Sequence, residues 1–251
     1  MTTDINTQLG TNRMTVHEVA ENNLEEQVDL LIARMNTFGI TQAVLAPDDP
    51  IAGNRLYKKA ADIYPDKLTF ACTLFPRPIE DARENLKEQI EAGCVALVMD
   101  ERLYHPQDTA AEVLVSTAVK EDIAVYFRSR ELRGENLAFV DRCSLVHPEG
   151  RFVILHMGGL FSFPNVIPLV TRQNIWLETS YTLIRLVESP LKVYLDALMQ
   201  DIGARKLVFG SGHHTDYAHQ QAALNMIDLN YEQIRLITKE NSYFVLGLGF
   251  A

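Results

Sequence analysis

Nowhere in this chain does an apolar run approach the ~18 residues that a membrane-spanning helix needs. Cysteine is scarce, with Cys72, Cys94 and Cys143 the three present, and no two of them form a CxxC pair. Cys72 and Cys94 lie within apolar runs and read as small core residues, which fits a reducing compartment. Basic residues are also in short supply: 23 Lys and Arg against 33 Asp and Glu leave a net charge of −10. With a sequence pI near 5.2, a nucleic-acid partner or an anionic membrane surface is not expected. Neither GxGxxG nor GxxxxGK[ST] occurs, which counts against dinucleotide and P-loop folds. The opening "MTTDINTQLG" has neither the basic start nor the apolar stretch of a secretion signal, so the expected location is the cytoplasm.

What is present is a steady alternation of short apolar runs with segments of helical period. In "NNLEEQVDLLIARMNTFG", Leu24, Val28, Leu31, Ile32 and Met35 recur at helical spacing. Asn22 or Asn23 is placed to cap that helix and Gly39 to end it. "QAVLAP" (42–47) and "LTFACTLFP" (68–76) read as strands, with a helix around 54–64 between them. A helix over 80–93 feeds "CVALVMD" (94–100), and further helices near 109–121 and 134–145 lead to "IAVYFR" (123–128) and "RFVILHMGG" (151–159). "NIWLETS" (174–180), a helix over 189–203 and "KLVFGSG" (206–212) follow, with two helical stretches after them. Counting "DINTQ" at the start, eight strands alternate with helices. The spacing predicts one α/β domain over 1–251, a (β/α)₈ TIM barrel rather than an open doubly wound sheet.

Barrel enzymes carry their chemistry at the C-terminal ends of the strands. Those ends read Asn6 and Gln8, Asp48, Arg77, Asp100, Arg128, His156, Glu178 with Ser180, and Gly212 with His213 and His214. Several fragments in this order resemble the amidohydrolase superfamily, in particular its amidohydrolase-related branch of decarboxylases and lactonases. "RFVILHMGG" resembles that branch's sixth-strand His-x-Gly-Gly signature, and "NIWLETS" its seventh strand. "ARKLVFGSGHH" resembles its eighth-strand Phe-Gly-Ser-Asp motif. "LLIARMNTFGITQAVLAP" and "ITKENSYFVLGL" are similar to its first helix with second strand and to its closing helix.

The resemblance implies a metal site, and the ligand positions depart from it. Asn6 and Gln8 stand where the family has a His-x-His pair, Arg128 where it has a histidine, and Gly212 where it has an aspartate. Of the implied first shell only His156 is kept, a residue that in decarboxylase-like members works more as an acid or base than as a ligand. A catalytic zinc draws about three ligands from imidazole, thiolate or carboxylate. Asn and Gln carbonyls are weak donors, and a guanidinium cannot coordinate at all. Neither a metal nor any other cofactor is therefore expected.

Two uses of the altered mouth stay open. Arg128, aided by Arg77 or Arg130, can clamp a substrate carboxylate, or it can pair with Asp100 or Glu178 as a structural cation, the preferred expectation. His156 is a candidate general base. Asn6, Gln8, Glu178 and His213 complete the candidate binding residues. His213, His214, Asp216 and His219 could form a relocated metal site, although an exposed polar loop with Thr215 or Asp216 capping a helix is the better expectation. The expected function is a non-catalytic binding or assembly subunit that pairs with itself or with a related barrel. The alternative is a metal-independent hydrolase, lactonase or lyase acting on a small carboxylate.

Overall fold

The computed structural model describes residues 2–50 and 52–247. Eight strands run parallel and in sequential order: β1 (Thr2–Thr7), β2 (Ile40–Leu45), β3 (Leu68–Thr73), β4 (Cys94–Asp100), β5 (Ala124–Arg128), β6 (Phe152–Ile154), β7 (Ile175–Glu178) and β8 (Leu207–Val208). Backbone hydrogen bonds from Ile5 N to the Phe209 carbonyl, and from Ser211 and Gly212 N to the Asn6 carbonyl, join the last strand to the first. The result is the (β/α)₈ barrel that the alternation predicts. Among the described residues, no helix is long and apolar enough to cross a membrane.

The strands bury both faces, as their near-continuous apolar runs require. Val98, Ala124, Tyr126, Val153 and Leu155 belong to one buried cluster inside the barrel. Their sequence neighbours Leu97, Met99, Val125, Phe127, Phe152 and Ile154 belong to a second, larger cluster beneath the helices. This period of two is the strand signature that sends alternate side chains to opposite faces. Carried to the strand ends, it turns Asp100, Arg128 and Glu178 inward, and β4 and β5 set Asp100 beside Arg128 in register.

The helices are α1 (Leu24–Phe38), α2 (Ala52–Ile63), α3 (Ile79–Glu91), α4 (Thr109–Lys120), α5 (Gly134–Val146), α6 (Phe163–Val170), α7 (Ser180–Leu186), α8 (Lys192–Asp201), α9 (Tyr217–Asn225), α10 (Tyr231–Arg235) and α11 (Asn241–Leu246). Gly39 ends α1 in the left-handed conformation, φ 67°, where a residue without Cβ carries no steric penalty. Asn23 occupies the N-cap position without capping, because its Oδ1 accepts from the Ala20 N–H instead. The sequence pattern does not reveal α6, which contains Pro164 and Pro168; Pro164 sits in the first turn, where its missing N–H would have no intrahelical partner anyway.

Candidate active site

A cavity of about 370 Å³ opens at the C-terminal end of the barrel, lined by residues that include Asn6, Gln8, Arg128, His156 and Gly212. That volume is within the range of small-molecule sites. β1 reaches it irregularly: its pairing with β2 shifts between Asp4 and Thr7, just where the strand delivers Asn6. Four arginines (Arg13, Arg102, Arg128, Arg130) and three carboxylates (Asp48, Asp100, Glu101) face the cavity. Most of these charges are matched. Arg128 Nη1 lies 2.6 Å from Asp48 Oδ1 and 3.7 Å from Asp100 Oδ2. Its two terminal nitrogens donate to the carbonyls of Pro47 (2.7 Å) and Ala46 (3.2 Å). Arg102 donates to both oxygens of Asp100, at 2.8 and 2.6 Å. Burial works against the Asp100 anion, yet the Arg102 hydrogen bonds and the Arg128 charge hold its carboxyl below the usual range.

Arg13 pairs with Asp216. Glu101 is fixed by Ser129 Oγ (2.5 Å), Asn136 Nδ2 (3.1 Å) and the Arg130 backbone N–H (2.8 Å). The Arg130 guanidinium is different. It is exposed at the cavity wall and has no hydrogen-bond or ion-pair partner among the described residues.

His156 follows β6 in a left-handed backbone conformation (φ 55°, ψ 30°), and Met157 repeats it (φ 52°, ψ 21°). For residues with a Cβ this conformation costs about 1–2 kcal/mol each; it also truncates the strand at Ile154. The His156 N–H is tied to Glu178 Oε2 at 2.8 Å, and Nδ1 lies 2.5 Å from Ser180 Oγ. Nε2 has no hydrogen-bond partner among the described residues, on a side chain that is 28% exposed. Burial, reinforced by the positive charges of Arg128 and Arg13, pushes the imidazole down to about 3, so it is neutral at physiological pH.

Glu178 is fully buried beneath the cavity. Oε2 accepts from Asn6 Nδ2 (3.2 Å), the His156 N–H (2.8 Å) and Ser180 Oγ (3.0 Å), while Oε1 accepts from the Ser180 N–H (2.9 Å). Burial raises its carboxyl to about 7, against the lowering effect of these donors. A Cβ at Gly210 would stand 2.1 Å from Oε1, so the carboxylate occupies space that only glycine leaves.

Of the candidate residues, Asn6, Gln8, Arg128 and His156 line one cavity, with Glu178 directly below them. Arg77 does not join them. β3 ends at Thr73, and Arg77 instead grips Asp108 with two hydrogen bonds of 2.7 Å. His213 is not at the cavity wall either. It and His214 are fully buried and stacked, centroids 4.4 Å apart, which replaces the expected exposed loop. His214 Nε2 meets the Gly10 carbonyl at 2.8 Å, and His213 Nδ1 meets Thr215 Oγ1 at 2.9 Å. His219 Nδ1 stands 3.8 Å from Asp216 Oδ1 on a side chain that is 69% exposed, and Asp216 makes no side-chain cap. Arg13, Arg102 and Glu101 are additions that sequence reasoning passed over, because they sit on loops beyond the strand ends.

The donor set does not fit a metal ion. The Asn6 amide is engaged by Glu178, Arg128 brings a fixed cation hydrogen-bonded to carbonyls, and Gly212 offers no side chain. Among the described residues, no three His, Cys, Asp or Glu side chains are grouped to hold a cation.

This barrel with its strand-end site matches the amidohydrolase family over residues 21–248, and the chain belongs to that family. Among curated proteins none matches. Solved structures with the same fold include a probable 2-pyrone-4,6-dicarboxylic acid hydrolase from Acinetobacter baumannii with citric acid bound. It is 16% identical with TM-score 0.73, over 98% of this chain and 99% of that one. A 2,6-dihydroxybenzoate decarboxylase complexed with 2,6-dihydroxybenzoate is 14% identical with TM-score 0.73, over 98% and 99% of the two chains. The 5-carboxyvanillate decarboxylase of Sphingomonas paucimobilis is 13% identical with TM-score 0.68, over 99% and 98%. At these identities the likeness concerns the fold.

Proposed function

We propose that this barrel is a metal-independent hydrolase or lyase acting on a small carboxylate. The observation that carries the reading is that Arg130, whose guanidinium has no partner among the described residues, and His156, a neutral imidazole whose Nε2 has none among them either, line one cavity. Arg130 would take the substrate carboxylate by a bidentate, charge-assisted pair. Arg128, committed to Asp48 and to two carbonyls, supplies field rather than a fork. His156 Nε2 would accept a proton from a water that attacks an ester or lactone carbonyl, or from the substrate itself. Anchoring and one positioned base can each contribute orders of magnitude in rate. The acids named with the similar structures, citric and dihydroxybenzoic, belong to the same chemical class.

An assembly subunit without activity is expected to fill its unused mouth with side chains; the open cavity argues for a ligand instead. The test is hydrolysis of a panel of carboxylated lactones and esters, and decarboxylation of hydroxybenzoates, with chelator present throughout. Turnover that His156→Ala abolishes is the expected result. Turnover that appears only when metal is added back would overturn the reading, as would no activity together with no binding of any acid.

A further inference from the structure

We propose that Glu178, through Ser180, sets which nitrogen of His156 carries the proton, making Glu178–Ser180–His156 a proton relay from the cavity to a buried carboxyl. The proposal rests on the function proposed above for its role in turnover, but not for its existence.

The geometry is a continuous chain. Ser180 Oγ lies 3.0 Å from Glu178 Oε2 and 2.5 Å from His156 Nδ1. All three residues are tied to the same backbone: Glu178 accepts the N–H groups of both His156 and Ser180. A hydroxyl has a single proton and must donate it one way. When Glu178 is ionised, Ser180 donates to the carboxylate and accepts from Nδ1–H, so Nε2 presents a lone pair to the cavity. When Glu178 is protonated, its O–H donates to Ser180 Oγ and Ser180 donates to Nδ1. The proton on the ring is then at Nε2. Ionisation of a carboxyl with no access to the cavity thus decides whether His156 is a base or a hydrogen-bond donor there.

In turnover the same chain avoids an imidazolium, which burial and the neighbouring arginines disfavour. A water O–H bond breaks as Nε2–H forms. Nδ1 passes its proton to Ser180 Oγ, and the Ser180 hydroxyl proton passes to Glu178 Oε2. One proton has moved from water to Glu178, the hydroxide adds to the substrate carbonyl carbon as its C=O π pair moves onto oxygen, and the imidazole ends neutral as the other tautomer. When that pair re-forms the carbonyl, the C–O bond to the leaving alkoxide breaks, the alkoxide takes the Nε2 proton, and Glu178 and Ser180 return theirs along the chain to restore Nδ1–H. Glu178 and Ser180 are positioning residues in this scheme, since neither touches substrate. The groups facing Glu178 are Asp4 on β1, whose charge opposes its ionisation, and Tyr126 on β5, a neutral phenol whose own ionisation Glu178 opposes; those facing His156 are Arg128, Arg13 and Asp100.

The experiment is ¹⁵N NMR of the full chain labelled at histidine, titrated without substrate from about pH 5.5 to about pH 8.5. The expected result is that the His156 ring stays singly protonated while its proton moves from Nε2 to Nδ1 as pH rises, with a midpoint near the value of about 7 set for Glu178. In Ser180→Ala the tautomer should no longer depend on pH. Should Ser180→Ala fail to fold, Glu178→Gln must give the same pH-independent ring. One tautomer across the whole wild-type range, or a ring that becomes doubly protonated instead, overturns the relay. A pH-dependent tautomer in a protein with no turnover upholds the relay and counts only against the proposed function.

Discussion

Two arginines stand two residues apart at the end of β5, and the structure gives them opposite signatures under mutation. Arg128 is nearly buried, and its guanidinium donates to the carbonyls of Pro47 and Ala46 besides pairing with Asp48. Replacing it by Met keeps the bulk and removes every donor. Hydrogen bonds from a charged group are worth about 1.5–3 kcal/mol each. Asp48 is 44% exposed, so water recovers much of that ion pair, and its share is small. Asp100 keeps Arg102. Taking the lower end for each, the two carbonyl bonds make Arg128→Met cost about 3 kcal/mol. A chain of this size loses about 2–4 °C of melting temperature per kcal/mol, hence a drop of about 6–12 °C. Arg130→Gln, with no partner to lose, should melt with wild type. The assay is a pair of reversible thermal melts in phosphate-free buffer, repeated with a saturating dicarboxylate. At 100 times its dissociation constant a ligand stabilises by about 2.7 kcal/mol. Wild type and Arg128→Met should gain from the acid, whereas Arg130→Gln should not. If Arg128→Met melts with wild type while Arg130→Gln falls, the division between structural and ligand-binding cation is reversed and the reasoning fails.

Gly210→Ala should displace the Glu178 carboxylate, because the new Cβ would lie 2.1 Å from Oε1; overpacking of this kind costs about 1–3 kcal/mol, and unchanged urea midpoints would count against the placement of Glu178. The pH dependence of stability has two opposed parts. Burial raises Asp4 to about 6 and Glu178 to about 7, so their contribution is full below their ordinary values and is lost as pH rises through the folded ones. Burial lowers His156 and His213 to about 3, so theirs is full above about 6.5 and fades as pH falls. Glu178's share therefore falls from about pH 4.5 to about pH 7 and is gone above that, so across this window wild type should lose stability relative to Glu178→Gln as pH rises; parallel pH profiles for the two proteins refute the assignment. Purified protein should hold no stoichiometric zinc, manganese or iron, and chelator should leave the melt in place; one equivalent of metal lost together with stability would contradict the donor analysis. Restoring ligands with Asn6→His, Gln8→His, Arg128→His and Gly212→Asp should create measurable but weak zinc affinity by calorimetry. Gly212 has φ 69°, a conformation that aspartate tolerates better than most residues. No gain in affinity would show that these strand ends do not converge as described.

The barrel and its strand ends were legible because burial on both faces leaves apolar runs of strand length, each closed by a polar residue. That pattern located Asn6, Gln8, Arg128, His156 and Glu178 without any contact information. Arg77 misled because its apolar run continues past Thr73, so sequence alone extends β3 into a proline-bearing loop that Asp108 then holds away from the mouth. His213 and His214 misled because loop histidines are commonly solvated, and only tertiary packing reveals the stacked, buried pair. Glu178 and Ser180 are two apart at a strand end, a spacing that lets both approach the same neighbour; their link to His156 follows from β6 and β7 being adjacent. The status of Arg130 could not be read in advance, because whether a charge is paired depends on loops whose course no periodicity fixes.

The central claim is that an anion site anchored by Arg130 works here without metal. Isothermal titration of chelator-treated wild type and Arg130→Gln with a small dicarboxylate tests it most directly. Binding near one equivalent to wild type, lost in Arg130→Gln while the variant's melting temperature is unchanged, is the expected result. Binding that requires added metal, or that is equally strong in the variant, would contradict it.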